Sequence, residues 1–187
     1  MTSPANAAPI LSRTLSIADV PGDGTTVRIV ATEAERTALA ADLDLPAIHR
    51  LEAEVTVKPW SRTGFIMEGR VSADITQTCV VSLDPVEAKV DETIEVKFAP
   101  EAEEESWLKR LAAAAEADPE ATGEDPPDFF AGGTLDPGAV VEQQFVLGID
   151  PYPRKPGAAF DAAAYGAAEP EEAKPSPFAA LAKLKKD

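Results

Sequence analysis

LEAEVTVKPWSRTGFIMEGRVSADITQTC, residues 51–79, carries the alternation that decides the fold. Leu51, Ala53, Val55 and Val57 take turns with Glu52, Glu54, Thr56 and Lys58. Phe65, Met67, Gly69, Val71, Ala73, Ile75 and Cys79 then hold odd positions, with Glu68, Arg70, Ser72, Asp74, Thr76 and Thr78 between them. Past the breaker Asp84-Pro85 the apolar phase moves to even positions: Val86, Ala88, Val90, Ile94, Val96 and Phe98. Their neighbours Glu87, Lys89, Asp91, Glu95 and Lys97 are charged. Successive side chains of an extended chain point to opposite faces. Period two over three segments therefore predicts antiparallel strands with one packed face and one wet face. The phase slips at Gln77 and Glu92, so a bulge or break is expected near each.

Working outward, residues 1–9 are small and polar and are expected to be disordered. LSRTLSIADV (11–20) puts Leu11, Leu15 and Ile17 at odd positions, which reads as a strand; PGDG turns the chain, and TTVRIVA (25–31) reads as a second strand. In TEAERTALAADLDL, Thr32 stands three residues before Glu35, with Leu39 and Leu43 four apart, the spacing of a helix opened by a capping box. On the other side, residues 100–130 hold ten acidic residues against Lys109 and Arg110, a net of −8. The first half of that insert has helix-forming composition with glutamates at its front, and the second half reads as loop.

GTLDPGAVVEQQFVLGIDPYPRKPG (133–157) predicts a helix with Asp136 as N-cap and Pro137 at its first position, packed on the sheet and ending near Gly148. Its prolines then force an extended exit. Residues 158–175 read as an Ala/Pro/Glu-rich linker, and 176–187 as a basic amphipathic helix. The fold class expected is α+β. It comprises an antiparallel sheet or partly closed barrel with a few packed helices, forming one domain over 10–157, with a flexible C-terminal tail.

Composition narrows the function. The chain has 187 residues and a formal net charge of −16, half of it in the 100–130 insert. Aromatics make up only 6%, and the 17 prolines gather near the start and after residue 118. Such a surface repels a polyanion on average, which disfavours DNA, nonspecific nucleic-acid binding and anionic membranes and favours basic protein partners. Cys79 is the single cysteine, so no intrachain disulfide can form, which suits a reducing compartment. MTSPANAAPILSRTL has no basic start followed by an apolar run, and no stretch approaches ~18 continuous apolar residues. A soluble cytoplasmic protein is expected.

Catalytic and cofactor chemistry finds little footing. Cys79 falls on the apolar phase of its strand and reads as buried filler; His49, the only histidine, is far from it in sequence. One cysteine and one histidine cannot supply the four ligands of a structural zinc site. The acidic run 101–105 lacks the fixed spacing and glycine turn of a calcium loop. Neither GxGxxG nor GxxxxGK[ST] occurs. No cofactor and no enzyme are expected.

Two segments are candidates for partner binding. In DPYPRK (150–155), Tyr152, Arg154 and Lys155 are held extended between prolines, either offered to a partner or lying on the domain as a strap. In SPFAALAKLKKD (176–187), Ser176 and Pro177 suit a helix start, and Phe178, Leu181 and Leu184 share one helical face. Lys183, Lys185 and Lys186 fall in its last turn, where cations suit the helix dipole.

The ending KPSPFAALAKLKK resembles that of the YceD family, the large ribosomal RNA subunit accumulation proteins. The resemblance extends through TQTCVVSLDPVEAKVDETIEVKF, the acidic insert and LDPGAVVEQQFVLGIDPYPRKPG, covering roughly residues 50–187. Many members carry Cys-x-x-Cys where this chain has Cys79-Val-Val-Ser82, so a metal or redox role for that pair is not carried over. The resemblance implies a non-enzymatic factor needed for accumulation of the large-subunit (23S) ribosomal RNA and for large-subunit assembly. A basic ribosomal protein or assembly factor is the expected partner, with RNA contacted weakly or indirectly. The rival readings are a direct RNA-binding module, which needs a basic, aromatic-studded sheet face, and an enzyme, which needs a polar pocket of converging groups.

Overall fold

The computed structural model of the chain describes residues 8–117 and 125–159. Its centre is a long meander: β3 (Ala47–Pro59), β4 (Phe65–Thr78) and β5 (Pro85–Pro100), antiparallel and joined in chain order. β2 (Thr25–Val30) adds to the free edge of β3, and β6 (Asp128–Phe130) adds to β5, giving an open sheet of order β2-β3-β4-β5-β6. The sheet does not close into a barrel. Of its four pairings three are antiparallel, while β5 and β6 run parallel, with Phe98 opposite Asp128 and Pro100 opposite Phe130.

The alternation of the sequence is the alternation of burial. Leu51, Val55, Val57, Met67, Val71, Ile75 and Ile94 lie on the packed face with almost no exposure. α1 (Glu33–Asp42) brings Leu39 and Ala40 to this layer, and α3 (Pro137–Leu147) brings Val141 and Phe145. Burying each of the large side chains is worth about 1.5–3 kcal/mol. Gly69 in β4 is required by the pairing with β3, since a Cβ there would stand 2.6 Å from the Cα of Val55.

Both helix starts follow their sequence signals. Thr32 and Glu35 form the reciprocal capping box, and Asp136 Oδ1 accepts from the backbone N–H of Ala139 at 3.1 Å with Pro137 in the first turn. Asp136 does more, because its carboxylate also accepts from Ser12 Oγ at 2.5 Å and from the backbone N–H of Arg13 at 2.7 Å. Leu11, fully buried, is thereby laid across the first turn of α3, and its backbone N–H donates to Glu142 Oε2 at 2.7 Å.

The structure corrects four expectations. The register of β4 on β5 is unbroken from Phe65↔Phe98 to Thr78↔Pro85, so neither Gln77 nor Glu92 marks a bulge. The irregularity lies in β3 between Ile48 and Arg50, at His49. The 11–20 segment forms only β1 (Leu15–Ser16) before a 3-10 turn over Ile17–Asp19; β1 pairs with β7 (Thr134–Leu135). Asp128–Phe130 is a strand rather than loop. α2 (Glu104–Ala117) is the helix expected in the acidic insert. The loop expected over 118–124 lies outside the described residues, as do most of the proposed linker and the whole 176–187 segment with Phe178, Leu181, Lys183, Leu184, Lys185 and Lys186.

Candidate functional site

Gln77, near the end of β4, and Cys79, just past it, both fall on the packed phase, and the segment leaving α3 lies against them. Gln77 is 4% exposed, and its Nε2 donates to the backbone oxygen of Asp150 at 2.7 Å. The phase slip is thus an anchor: a polar side chain stands on the apolar face because a carbonyl of the strap awaits it. Val80 donates its backbone N–H to Pro153 O at 2.9 Å, and Lys155 Nζ donates to Asp84 Oδ2 at 3.0 Å. The β4–β5 turn is itself tight. Cys79 N–H bonds Asp84 O at 2.8 Å, Leu83 N–H bonds Cys79 O at 2.9 Å, and Leu83 takes a positive φ of 61°.

Cys79 Sγ is fully buried and accepts two backbone N–H groups, from Lys155 at 3.3 Å and from Ser82 at 3.4 Å. The Lys155 N–H first, and then Ser82, favour the thiolate over the opposing effect of burial and draw the thiol from 9.0 down to about 6. Ser82 is therefore a backbone donor to the Cys79 sulfur. Lys155 likewise holds Asp84 below its ordinary carboxylate range.

Of the strap residues singled out from sequence, Lys155 is engaged internally through both its N–H and its ammonium. Tyr152 is 72% exposed and Arg154 is exposed, so both project from the strap. The Asp150 carboxylate receives Tyr152 N–H at 2.9 Å and fixes that turn. Gln77 and Asp84 secure the strap; in the sequence the first stands out only as a slip of phase and the second only as part of a breaker.

The wet face of the sheet holds the remaining polar constellations. Thr76 Oγ1 donates to Glu87 Oε1 at 2.9 Å and lies 2.8 Å from His49 Nε2. A hydroxyl has one hydrogen; with Glu87 accepting it, His49 donates, and is not poised as a base for that hydroxyl. Arg50 pairs with Glu52 and, at 2.7 Å, with Asp74, which also meets Lys89 at 3.2 Å. The Arg50 guanidinium, ahead of Lys89, draws Asp74 below its ordinary range. Lys58 pairs with Glu68 at 2.5 Å, and Arg70 pairs with Asp91. Cation and carboxylate thus answer each other strand by strand. Among the described residues no group of three or more His, Cys, Asp or Glu could hold a metal ion, and no helix is long and apolar enough to cross a membrane.

The family model described as large ribosomal RNA subunit accumulation protein YceD matches residues 67–185. That span takes in nearly all of β4, then β5, the Cys79 turn, α3 and the strap, whereas α1 and the sheet strands β2 and β3 precede it. No curated protein and no solved structure matches the chain. Matched over more than half its length, the chain belongs to the YceD family of large ribosomal RNA subunit accumulation proteins.

Proposed function

We propose that the protein is a non-enzymatic factor that supports accumulation of large-subunit ribosomal RNA and assembly of the large subunit by holding a basic ribosomal protein or assembly factor. The family match supports the first part of this reading. The second rests chiefly on where the charge lies. The wet sheet face is largely self-neutralised by its ion pairs, and the 100–130 segment carries −8 of the −16. Negative charge concentrated in one stretch of chain, next to a sheet face that is balanced, favours a basic protein at that stretch. In this reading Lys155 holds the strap, Tyr152 and Arg154 are offered beside it, and Phe178, Leu181 and Leu184, with the lysines at 183, 185 and 186, form a second contact.

The test replaces Glu101, Glu103, Glu104 and Glu105 by glutamine in cells that otherwise lack the protein. Failure to restore large-subunit ribosomal RNA is expected, with loss of a ribosomal protein or assembly factor from low-salt affinity capture. Full restoration by the neutralised variant would defeat the charge-based part of the reading. Capture with a chain ending at Pro175, beside the full chain, reads the contribution of the C-terminal segment.

A further inference from the structure

We propose that the cleft between the β3–β4 loop and α2 is a binding site for single-stranded RNA, taking a base against paired tryptophans and the flanking phosphates on Arg62 and Arg110. Trp60, at the end of β3, and Trp107, on α2, are the only tryptophans of the chain, and their rings stack with centroids 6.2 Å apart and planes 28° from parallel. Lys97 Nζ lies 4.9 Å from the Trp60 ring centre and Arg110 Cζ 3.9 Å from that of Trp107. The run Lys97–Trp60–Trp107–Arg110 is therefore a pair of stacked rings bracketed by two cations, and aromatic rings beside cations hold unpaired bases without sequence preference. Both tryptophans are only partly buried, and the cleft they line has a volume of about 620 Å³, within the range of sites that take small ligands.

The site is held in shape before anything binds. The backbone N–H of Trp60 donates to Gly64 O at 3.0 Å, the backbone N–H of Gly64 donates to Ser61 Oγ at 2.9 Å, and Thr63 Oγ1 donates to Glu103 Oε1 at 2.5 Å, tying the loop to the turn that leads into α2. Charge selects the occupant. Arg50, Lys58, Arg70 and Lys89 on the same sheet face are committed to carboxylates, but Arg62 and Arg110 form no salt bridge among the described residues. An anion can dock on them without first breaking an ion pair. The basic partner proposed for the acidic segment is the wrong sign for this cleft, whereas an unpaired nucleotide offers both a flat ring and a negative charge. The acidic surroundings make the contact weak and salt-sensitive, which agrees with RNA as a secondary partner; the site stands whether or not the protein partner is as proposed.

Because both tryptophans sit in the cleft, fluorescence excited selectively at tryptophan, away from the two tyrosines, reports on it alone. The full chain is titrated at low salt with an unstructured oligoadenylate of about ten nucleotides, the scale of a single-strand site. Saturable quenching is expected. Trp107→Ala should weaken binding about tenfold. The double variant R62E/R110E should abolish it while circular dichroism and the melting temperature stay close to those of the parent. Absence of quenching, or binding unchanged in R62E/R110E, would overturn the proposal. So would equal affinity for adenosine monophosphate, which would make the site one for free nucleotides. Tighter quenching by an oligolysine or proline-rich peptide would make it a protein contact, with the same consequence.

Discussion

The carbonyl oxygen of Leu11 rests directly against Gly138, in the first turn of α3, although 126 residues of chain lie between them. A Cβ at 138 would overlap that oxygen and stand 2.7 Å from the backbone nitrogen of Arg13. Both obstacles are backbone and cannot rotate away. Gly138→Ala is expected to cost about 3 kcal/mol in urea unfolding, the size of an overpacking strain, despite alanine's better helix propensity. A loss below ~0.5 kcal/mol, the range of an ordinary surface change, would mean that the N-terminal segment does not cross the helix there.

Asp136 binds the same two segments together. Burial opposes its charge, but hydrogen bonds from Ser12, from Arg13 N–H and from Ala139 N–H outweigh it and leave the carboxyl below its ordinary 3.8. A carboxyl depressed in the folded state binds fewer protons than in the unfolded chain. Its contribution is full above the ordinary value and is lost as pH falls through the lower folded one. Asp136→Ala should lose about 1–2 kcal/mol at neutral pH, as for a lost N-cap, and should unfold with a shallower acid limb than the parent. Parallel acid limbs would show that Asp136 is not the group responsible.

What was legible in the sequence was local. The period-two strands, the Thr32 capping box and the Asp136–Pro137 helix start each depend on residues within a few positions of one another, and each was found where expected. The misses depend on partners distant in the chain. Asp128–Phe130 becomes a strand only because the end of β5 is free to pair with it. The bulge at His49 is a property of the β3–β4 register, not of either strand alone. Glu92 sits on the apolar phase, opposite Val71, at the end of α3, where it stays exposed although a Cβ on Gly148 would stand 2.6 Å from its Cγ.

The candidate site divides in the same way. The sequence leaves open whether Tyr152 and Arg154 are offered outward or lie in a strap; the segment is a strap on the domain from which both side chains are exposed. The engagement of Lys155 was not legible, since its partners Cys79 and Asp84 lie 76 and 71 residues away. Trp60 and Trp107 each precede an arginine by two or three positions, a signal for a stacking site that gains meaning only when the fold brings the two together.

Cys79 should give the protein a pH dependence of its own. The folded thiol ionises at about 6, well below its ordinary 9.0. Between those values the unfolded chain keeps the proton that the folded chain has released. Stability therefore rises with pH across this window, is full above it, and is lost as pH falls through about 6. Unfolding of Cys79→Ser, measured from pH 5.5 to 9.5, should show a flatter profile. Lys155→Pro, which deletes the leading N–H donor, should raise the thiolate titration seen by ultraviolet absorbance. An unmoved midpoint in Lys155→Pro would mean that another group sets the thiol.

Gln77 separates the strap from the core beneath it. Its Nε2 bond to Asp150 O ties the strap down, while its Oε1 is buried without a hydrogen-bond partner among the described residues. In Gln77→Leu the lost bond and the removed desolvation cost oppose each other, since a neutral hydrogen bond contributes about 0.5–1.5 kcal/mol and an unsatisfied buried acceptor costs a similar amount. Global stability should move by less than about 1 kcal/mol. The strap, however, loses its anchor without losing any core packing. Alkylation of Cys79, which is fully buried under the intact strap, should then accelerate about tenfold at a fixed pH, through local opening rather than unfolding. Amide exchange at Val80 and Lys155, whose N–H groups bond across the junction, should quicken with it. Faster alkylation with exchange quickened equally throughout the sheet would point to a weakened core instead, and would remove Gln77 from its place as the latch.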